Sequence, residues 1–236
     1  LASADLALTF ESVRAGYGAR RVFEALDLSV ARGEIVALLG HNGAGKTTAM
    51  RVAAGLTPAA AGRVTLDGVD VTRLSAAMRS RAGLSLVPQG VVGLFKTLTV
   101  RQNLDAARPG GDDGAAEQRL RESFGDVLVE LGDRTAGSMS GGQQQILAIS
   151  LALLRSPSVL LLDELSTGLA PAVVRRILAL VSDLAASRGT TVVAAEQDIA
   201  AVLTVATRVC ILQSGELVAD FARAECPSPT ELWRYF

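Results

Sequence analysis

Leu6, Leu8 and Phe10 alternate with polar or small residues, and Leu26-Asp27-Leu28-Ser29-Val30 repeats the alternation further on. A period of two puts one set of side chains on a single face, so both stretches predict half-buried strands. Glu34-Ile35-Val36-Ala37-Leu38-Leu39 breaks the pattern. After Gly33 the run is almost continuously apolar, which suits a strand covered on both faces. Gly62-Arg63-Val64-Thr65-Leu66, running into Asp67-Gly68, predicts a further strand entering a tight turn. These early strands predict an antiparallel sheet packed beside a parallel one.

The middle of the chain changes period. Thr99 to Gln102 has the Thr-x-x-Gln spacing of a capping box at a helix start. Pro109 to Gly114 reads as a loop, and Ala115 to Gly125 is charged and helix-favouring. A further helix is predicted from Ser140 through Leu154, with Gly141 and Gly142 at its mouth. A mostly helical insertion is therefore expected at about residues 90–157. The last third alternates strand and helix: strand Val159–Asp163, helix Pro171–Ser187 closed near Gly189, strand Thr190–Ala195, helix Asp198–Ala206, strand Arg208–Gln213. That order predicts a parallel α/β sheet within a single domain spanning residues 1–236.

At 236 residues the chain can bury a large core. A formal charge of −1 offers no basic surplus for nucleic acid or an anionic membrane surface. No apolar run approaches the ~20 residues of a membrane span, and Val159–Leu162 and Ile146–Leu154 read as core. Residue 1 is leucine and no charged-then-apolar leader follows, so no signal peptide is expected. Cys210 and Cys226 are far apart and read as reduced thiols. Only Lys46 and Lys96 are lysines, the other cations being arginines, which draws attention to Lys46.

Gly40-His41-Asn42-Gly43-Ala44-Gly45-Lys46-Thr47 matches G-x-x-x-x-G-K-[ST], between a buried strand and the helix-prone Thr48–Ala54. Glycines let backbone N–H groups converge on phosphate oxygens, and the following helix aims a partial positive charge at them. Lys46 is a compact charge for the β- and γ-phosphates, and Thr47 offers a hydroxyl to Mg²⁺. His41, the sole histidine, occupies a variable position of this loop and reads as exposed rather than as a general base. Val159 to Leu162 then forms an apolar strand ending in Asp163 and Glu164. Ligands collect at such strand ends in open α/β sheets. Asp163 is placed to hold the Mg²⁺ shell, and Glu164 to orient and deprotonate water.

Met139-Ser140-Gly141-Gly142-Gln143 resembles the LSGGQ signature of ABC ATPases, with Met for the leading Leu. The resemblance covers nearly the whole chain. It implies a P-loop NTPase fold: a RecA-like parallel core sheet, an antiparallel β subdomain and an α-helical insertion subdomain. It implies ATP and Mg²⁺ as ligands, held by Gly40, Asn42, Gly43, Ala44, Gly45, Lys46, Thr47 and Thr48. Tyr17 matches the aromatic that stacks on adenine, and Gln89 the glutamine that contacts Mg²⁺ and links the site to the transporter. Ser166-Thr167-Gly168-Leu169-Ala170 matches the loop that crosses the dimer interface. Ser140, Gly141, Gly142 and Gln143 would contact the γ-phosphate held by the opposite subunit, so that two ATPs close the dimer and hydrolysis opens it. The expected partners are a second ABC ATPase, integral-membrane permease subunits and, indirectly, a solute-binding protein, at the cytoplasmic face of a bacterial plasma membrane. The groove that meets the permease is expected along Gly90–Thr97, with Val91, Val92, Leu94 and Phe95 as apolar candidates.

Three positions depart from the common pattern. Leu165 replaces a proline, Ala170 an aspartate, and Glu196-Gln197-Asp198 stands where the family has its switch histidine. Gln197 then takes that place as a neutral donor to the γ-phosphate, unable to carry charge. The runs Gly168–Pro171 and Glu196–Asp198 resemble the second ATPase of branched-chain amino acid importers and their urea and amide relatives, although Val91 departs from the arginine of that branch. An export ATPase would share every core motif. A soluble ABC ATPase of DNA repair, chromosome organisation or translation would bring coiled coils, zinc-spaced cysteines or a second cassette, which this sequence lacks. A non-hydrolysing subunit is disfavoured by Lys46, Asp163 and Glu164 together.

Overall fold

The two alternating stretches become β1 (Leu6–Tyr17) and β2 (Arg20–Ala31), joined by a tight hairpin that sets Tyr17 opposite Arg20. The computed structural model describes residues 5–90, 92–108, 130–166 and 169–235. The expected loop at Pro109–Gly114, the helix-favouring stretch to Gly125, Val91, Thr167 and Gly168 lie outside the described residues. After β2 come β3 (Ile35–Leu39), α1 (Lys46–Ala53), β4 (Ala61–Leu66), β5 (Val69–Asp70), α2 (Ala76–Arg81) and β6 (Leu84–Val87). The helices α3 (Val100–Ala107) and α4 (Gly141–Leu153) precede β7 (Val159–Asp163) and α5 (Pro171–Arg188). The chain finishes with β8 (Thr191–Ala195), α6 (Ile199–Val202), β9 (Arg208–Gln213), β10 (Glu216–Ala222) and α7 (Pro229–Leu232).

Two sheets form among the described residues. One is antiparallel in the order β2-β1-β4-β5; the other runs β10-β9-β3-β8-β7-β6, parallel except for its β10 edge. Period-two alternation of an all-apolar strand explains how the second sheet joins two cores. Ile35, Ala37 and Leu39 face a cluster shared with α4 and α5, whereas Val36 and Leu38 face one shared with α1 and the antiparallel sheet. β7, β8 and β9 divide in the same way. The parallel sheet is thus a middle layer buried on both faces, as its composition predicts.

Local signals place the helix ends. Thr99 caps α3 and Ser140 caps α4, each in a reciprocal capping box with Gln102 and Gln143. Pro171 opens α5, and Gly189, at φ 65°, closes it in the left-handed conformation that glycine favours. Two expectations change. In β1, Ala7 and Thr9 are buried along with Leu8 and Phe10, and the Thr9 hydroxyl bonds that of Thr65 on β4 at 2.6 Å, so the strand is covered on both faces. The helix expected over Asp198–Ala206 is helical only at Ile199–Val202. Beyond it the backbone tightens into turns, with the Thr204 N–H on the Ala201 carbonyl and those of Val205 and Ala206 both on that of Val202, and Arg223 takes the Leu203 carbonyl.

Candidate functional site

β3 delivers the chain into a loop that only glycine can trace at two points. A Cβ on Gly40, at φ 151°, would drive into the Leu212 carbonyl, and one on Gly45, at φ 113°, would lie 2.5 Å from the Phe23 ring. The Lys46 ammonium folds back over the loop, donating to the carbonyls of Gly40 (2.6 Å) and His41 (3.1 Å). Burial lowers the Lys46 pKa, against the pull of Glu164, Asp163 and Glu196. The cation is therefore buried on the loop carbonyls, its charge supported electrostatically by these three carboxylates.

Thr47, in the first turn of α1, donates its hydroxyl to Asp163 Oδ1 at 3.1 Å. Burial raises the Asp163 pKa, offset in part by that hydroxyl and by Lys46. A hydroxyl and a carboxylate oxygen at this spacing form a hard-oxygen donor set that fits Mg²⁺. Glu164 follows with a left-handed φ of 49°. Both of its carboxylate oxygens are taken: Oε2 accepts from the Gln89 amide, and Oε1 accepts from Gln197 Nε2 at 2.8 Å. The same Gln197 nitrogen donates to Asn42 Oδ1 at 3.0 Å.

These groups border a cavity of about 430 Å³ lined by Tyr17, Asn42, Gly43, Gly45, Lys46, Thr47, Thr48, Gln89, Glu164 and Gln197, with Arg20 and Val22. Tyr17 is 46% exposed at its rim, and its phenol oxygen lies 3.5 Å from the Thr48 hydroxyl. Arg20 and Val22 are absent from the sequence reading, although the turn between Tyr17 and Arg20 was the signal available for Arg20. Gly40 and Ala44 do not line the cavity: the Gly40 carbonyl is bound by Lys46, and Ala44 is buried with its N–H bonded to the His41 carbonyl. Asp163 is likewise buried, reaching the cavity wall through Thr47.

Ser140, Gly141, Gly142 and Gln143 are not among the lining residues. They form the tip of α4, where Ser140 and Gly141 are exposed. The Gln143 side chain is used locally, accepting from the Ser140 N–H at 3.0 Å. A second recess, of about 380 Å³, is apolar and lies beside β6, lined in part by Leu56, Val87, Pro88, Val92, Gly93 and Leu151. Of the candidates for a groove in this region, Val92 lines it, whereas Leu94 packs on the core and Phe95 is 59% exposed outside it. The Asn103 amide binds both the N–H and the carbonyl of Phe95, which fixes the backbone there.

A family model described as ABC transporter matches residues 23–167. The chain is 36% identical over 217 residues to the high-affinity branched-chain amino acid transport ATP-binding protein BraG of Pseudomonas aeruginosa, covering 89% of this chain and 91% of that protein. It is equally 36% identical, over 231 residues, to the lipopolysaccharide export system ATP-binding protein LptB of Escherichia coli K12, covering 95% and 92%. A solved ATP-binding subunit of an ABC transporter shares the fold with a TM-score of 0.86 at 26% identity, covering 97% of this chain and 98% of that one.

Proposed function

We propose, since this chain belongs to the ABC transporter family and is one of its ATP-hydrolysing subunits, that it powers a bacterial importer of branched-chain amino acids or related polar solutes such as urea and amides. The observation that carries the importer reading is the amide at position 197, which bonds Glu164 where the common family pattern has a histidine. The Glu196-Gln197-Asp198 run and the Gly168–Pro171 run resemble that import branch, and the likeness to BraG supports it. The equal likeness to LptB makes export the competing reading. Co-purifying the chain with its membrane subunits and measuring ATP-driven flux in vesicles separates them. Outward flux of a lipid, with no uptake of amino acid or amide, would defeat the importer.

The roles follow from chemistry. Lys46 and the loop N–H groups bind the β- and γ-phosphates, exchanging the loop carbonyls for phosphate oxygens, and Tyr17 stacks on adenine. Thr47, Asp163 and Gln89 hold Mg²⁺, which when bound neutralises charge on the phosphate oxygens. Glu164 is the base; one of its two amide partners must yield for water to reach it. Gln197 then donates to the γ-phosphate. The exposed Ser140–Gly141 tip supplies the missing anion clamp to a partner's nucleotide, the partner being a second, similar ATPase. The apolar recess beside β6 receives the permease, with a solute-binding protein acting on its other side. The chain sits at the cytoplasmic face of the membrane as a peripheral subunit; no described helix is long and apolar enough to cross.

Glu164→Gln tests the core of this reading. The variant is expected to bind MgATP, to accumulate as a dimer in it, and to lose about 100-fold or more in turnover. Hydrolysis at the parental rate would remove Glu164 as base.

A further inference from the structure

Glu196 is 4% exposed just beyond β8, and apart from its electrostatic pull on Lys46 none of the roles above uses it. The donors it meets are neutral. Its Oε2 accepts the Ser166 hydroxyl at 2.5 Å, its Oε1 accepts the Ser166 N–H at 3.3 Å, and the Leu165 N–H also faces it. Three donors converging from one short segment call for a group with acceptor capacity only, which a carboxylate has and an amide lacks. Burial pushes the Glu196 pKa up, so keeping a carboxylate here works against the folded state. A buried charge that opposes folding calls for a reason in function.

The segment it grips is the turn that presents Glu164. That residue holds a left-handed φ of 49°, a conformation that side chains with a Cβ rarely adopt and that persists only where the surroundings impose it. On one side the turn is fixed by the Glu164 N–H, which donates to the Ala195 carbonyl at 2.8 Å. On the other side it is fixed by Ser166 on Glu196. The next residue of the same strand end, Gln197, reaches the Glu164 carboxylate itself. We propose that Glu196 is a positioning residue for ATP hydrolysis: by binding Ser166 and Leu165 it holds the strained turn that aims the Glu164 carboxylate. The inference rests on Glu164 being the base.

The test uses the full chain assembled with its transporter partners and compares Glu196→Gln, Ser166→Ala and the double variant, with thermal unfolding as a folding control. Glu196→Gln is expected to lower kcat about 10-fold and Ser166→Ala about 3-fold, with the KM for ATP within about 2-fold of the parent, because only the transition state needs the aim. The double variant is expected to be no slower than Glu196→Gln, since both changes break one joint. A residue that merely stabilised the fold would lower the unfolding midpoint and leave kcat of the folded protein intact. An unchanged kcat in Glu196→Gln, multiplying effects in the double variant, or a KM that rises as kcat falls would each overturn the proposal. If Glu196→Gln does not fold, Ser166→Ala decides alone: full kcat refutes, a selective loss supports. Glu164→Gln keeps the two readings apart. Inactive Glu164→Gln beside fully active Glu196→Gln defeats only the positioning role.

Discussion

The amide nitrogen of Gln197 carries two protons, and the geometry uses both, one on Glu164 and one on Asn42. Because a carboxylate only accepts, Glu164 dictates which end of the Gln197 amide faces it, and Asn42 must then present its oxygen. Removing this donor from a preorganised site costs about 100-fold in rate. Gln197→Ala is therefore expected to lower kcat of the assembled transporter by about that factor with MgATP binding kept. Unchanged turnover would deny Gln197 its hydrogen bond to the reacting phosphate. Gln197→His should recover activity and add a titration near the ordinary histidine value of ~6.5 that the amide of Gln197 cannot contribute. At this scale the loop and the two carboxylates beside it were legible because the chemistry dictates residue type: glycine where a Cβ would clash, one of only two lysines in a chain of arginines, acids at a strand end. The burial of Ala44 and the Gly40 carbonyl bond to Lys46 were not, since a motif names residues and not the direction in which each backbone group points. The Glu196–Ser166 joint was hidden for another reason: neither residue is unusual alone, and only folding brings them together across 30 positions of sequence.

Among the elements, α1 carries the phosphate loop on its N-terminus, and its other end depends on one buried arginine. Arg79, 1% exposed on α2, donates to the carbonyls of Val52 and Ala53 at the end of α1, and to those of Leu74 and Thr72. Its positive charge complements the partial negative end of α1 while satisfying the Ala53 carbonyl and adding a second donor to that of Val52, which the Gly55 N–H also bonds. Arg79→Met would strand the Ala53, Leu74 and Thr72 acceptors, the Val52 carbonyl keeping the Gly55 N–H, at a cost of about 3 kcal/mol or more. For a chain of this length that is expected to lower the thermal midpoint by about 6–12 °C. A shift under about 2 °C would show the carbonyls to be satisfied by other means. This contact lay beyond the sequence reading because α2 spans only six residues, too short to show a period. β6, with four residues, was unread for the same reason, and in β10 the apolar Val218 and Ala222 on the exposed side blur the alternation. β3 and β7, buried on both faces, and α3 and α4 were legible, since each carries a physical requirement within its own few residues.

For the whole molecule, the site is a seam between layers, with α1 on one side of the parallel sheet and the ends of β7 and β8 supplying the acids. The order of strand and helix foretold that the sheet would be parallel, and hence that the loop and the acids would share one edge. It did not foretell how much charge that edge would bury, which depends on packing between layers. The consequence is a measurable dependence of stability on pH. Glu196 in the folded chain has a pKa raised above its ordinary 4.5 by burial, opposed by its Ser166 and Leu165 donors and assisted by the nearby Glu164. Between 4.5 and that raised value the folded chain holds a proton that the unfolded chain has released. The contribution of Glu196 to stability therefore falls as pH rises through this window, and its full penalty remains above it. Asp163, also raised by burial, contributes a slope of the same sign from 3.8 upward. Glu196→Gln removes the Glu196 titration, so the unfolding midpoint of the variant should gain on that of the parent as pH rises, the gap widening until the raised value is passed. Parallel curves for parent and variant would mean that Glu196 ionises alike in folded and unfolded chains, and that its burial carries no electrostatic cost.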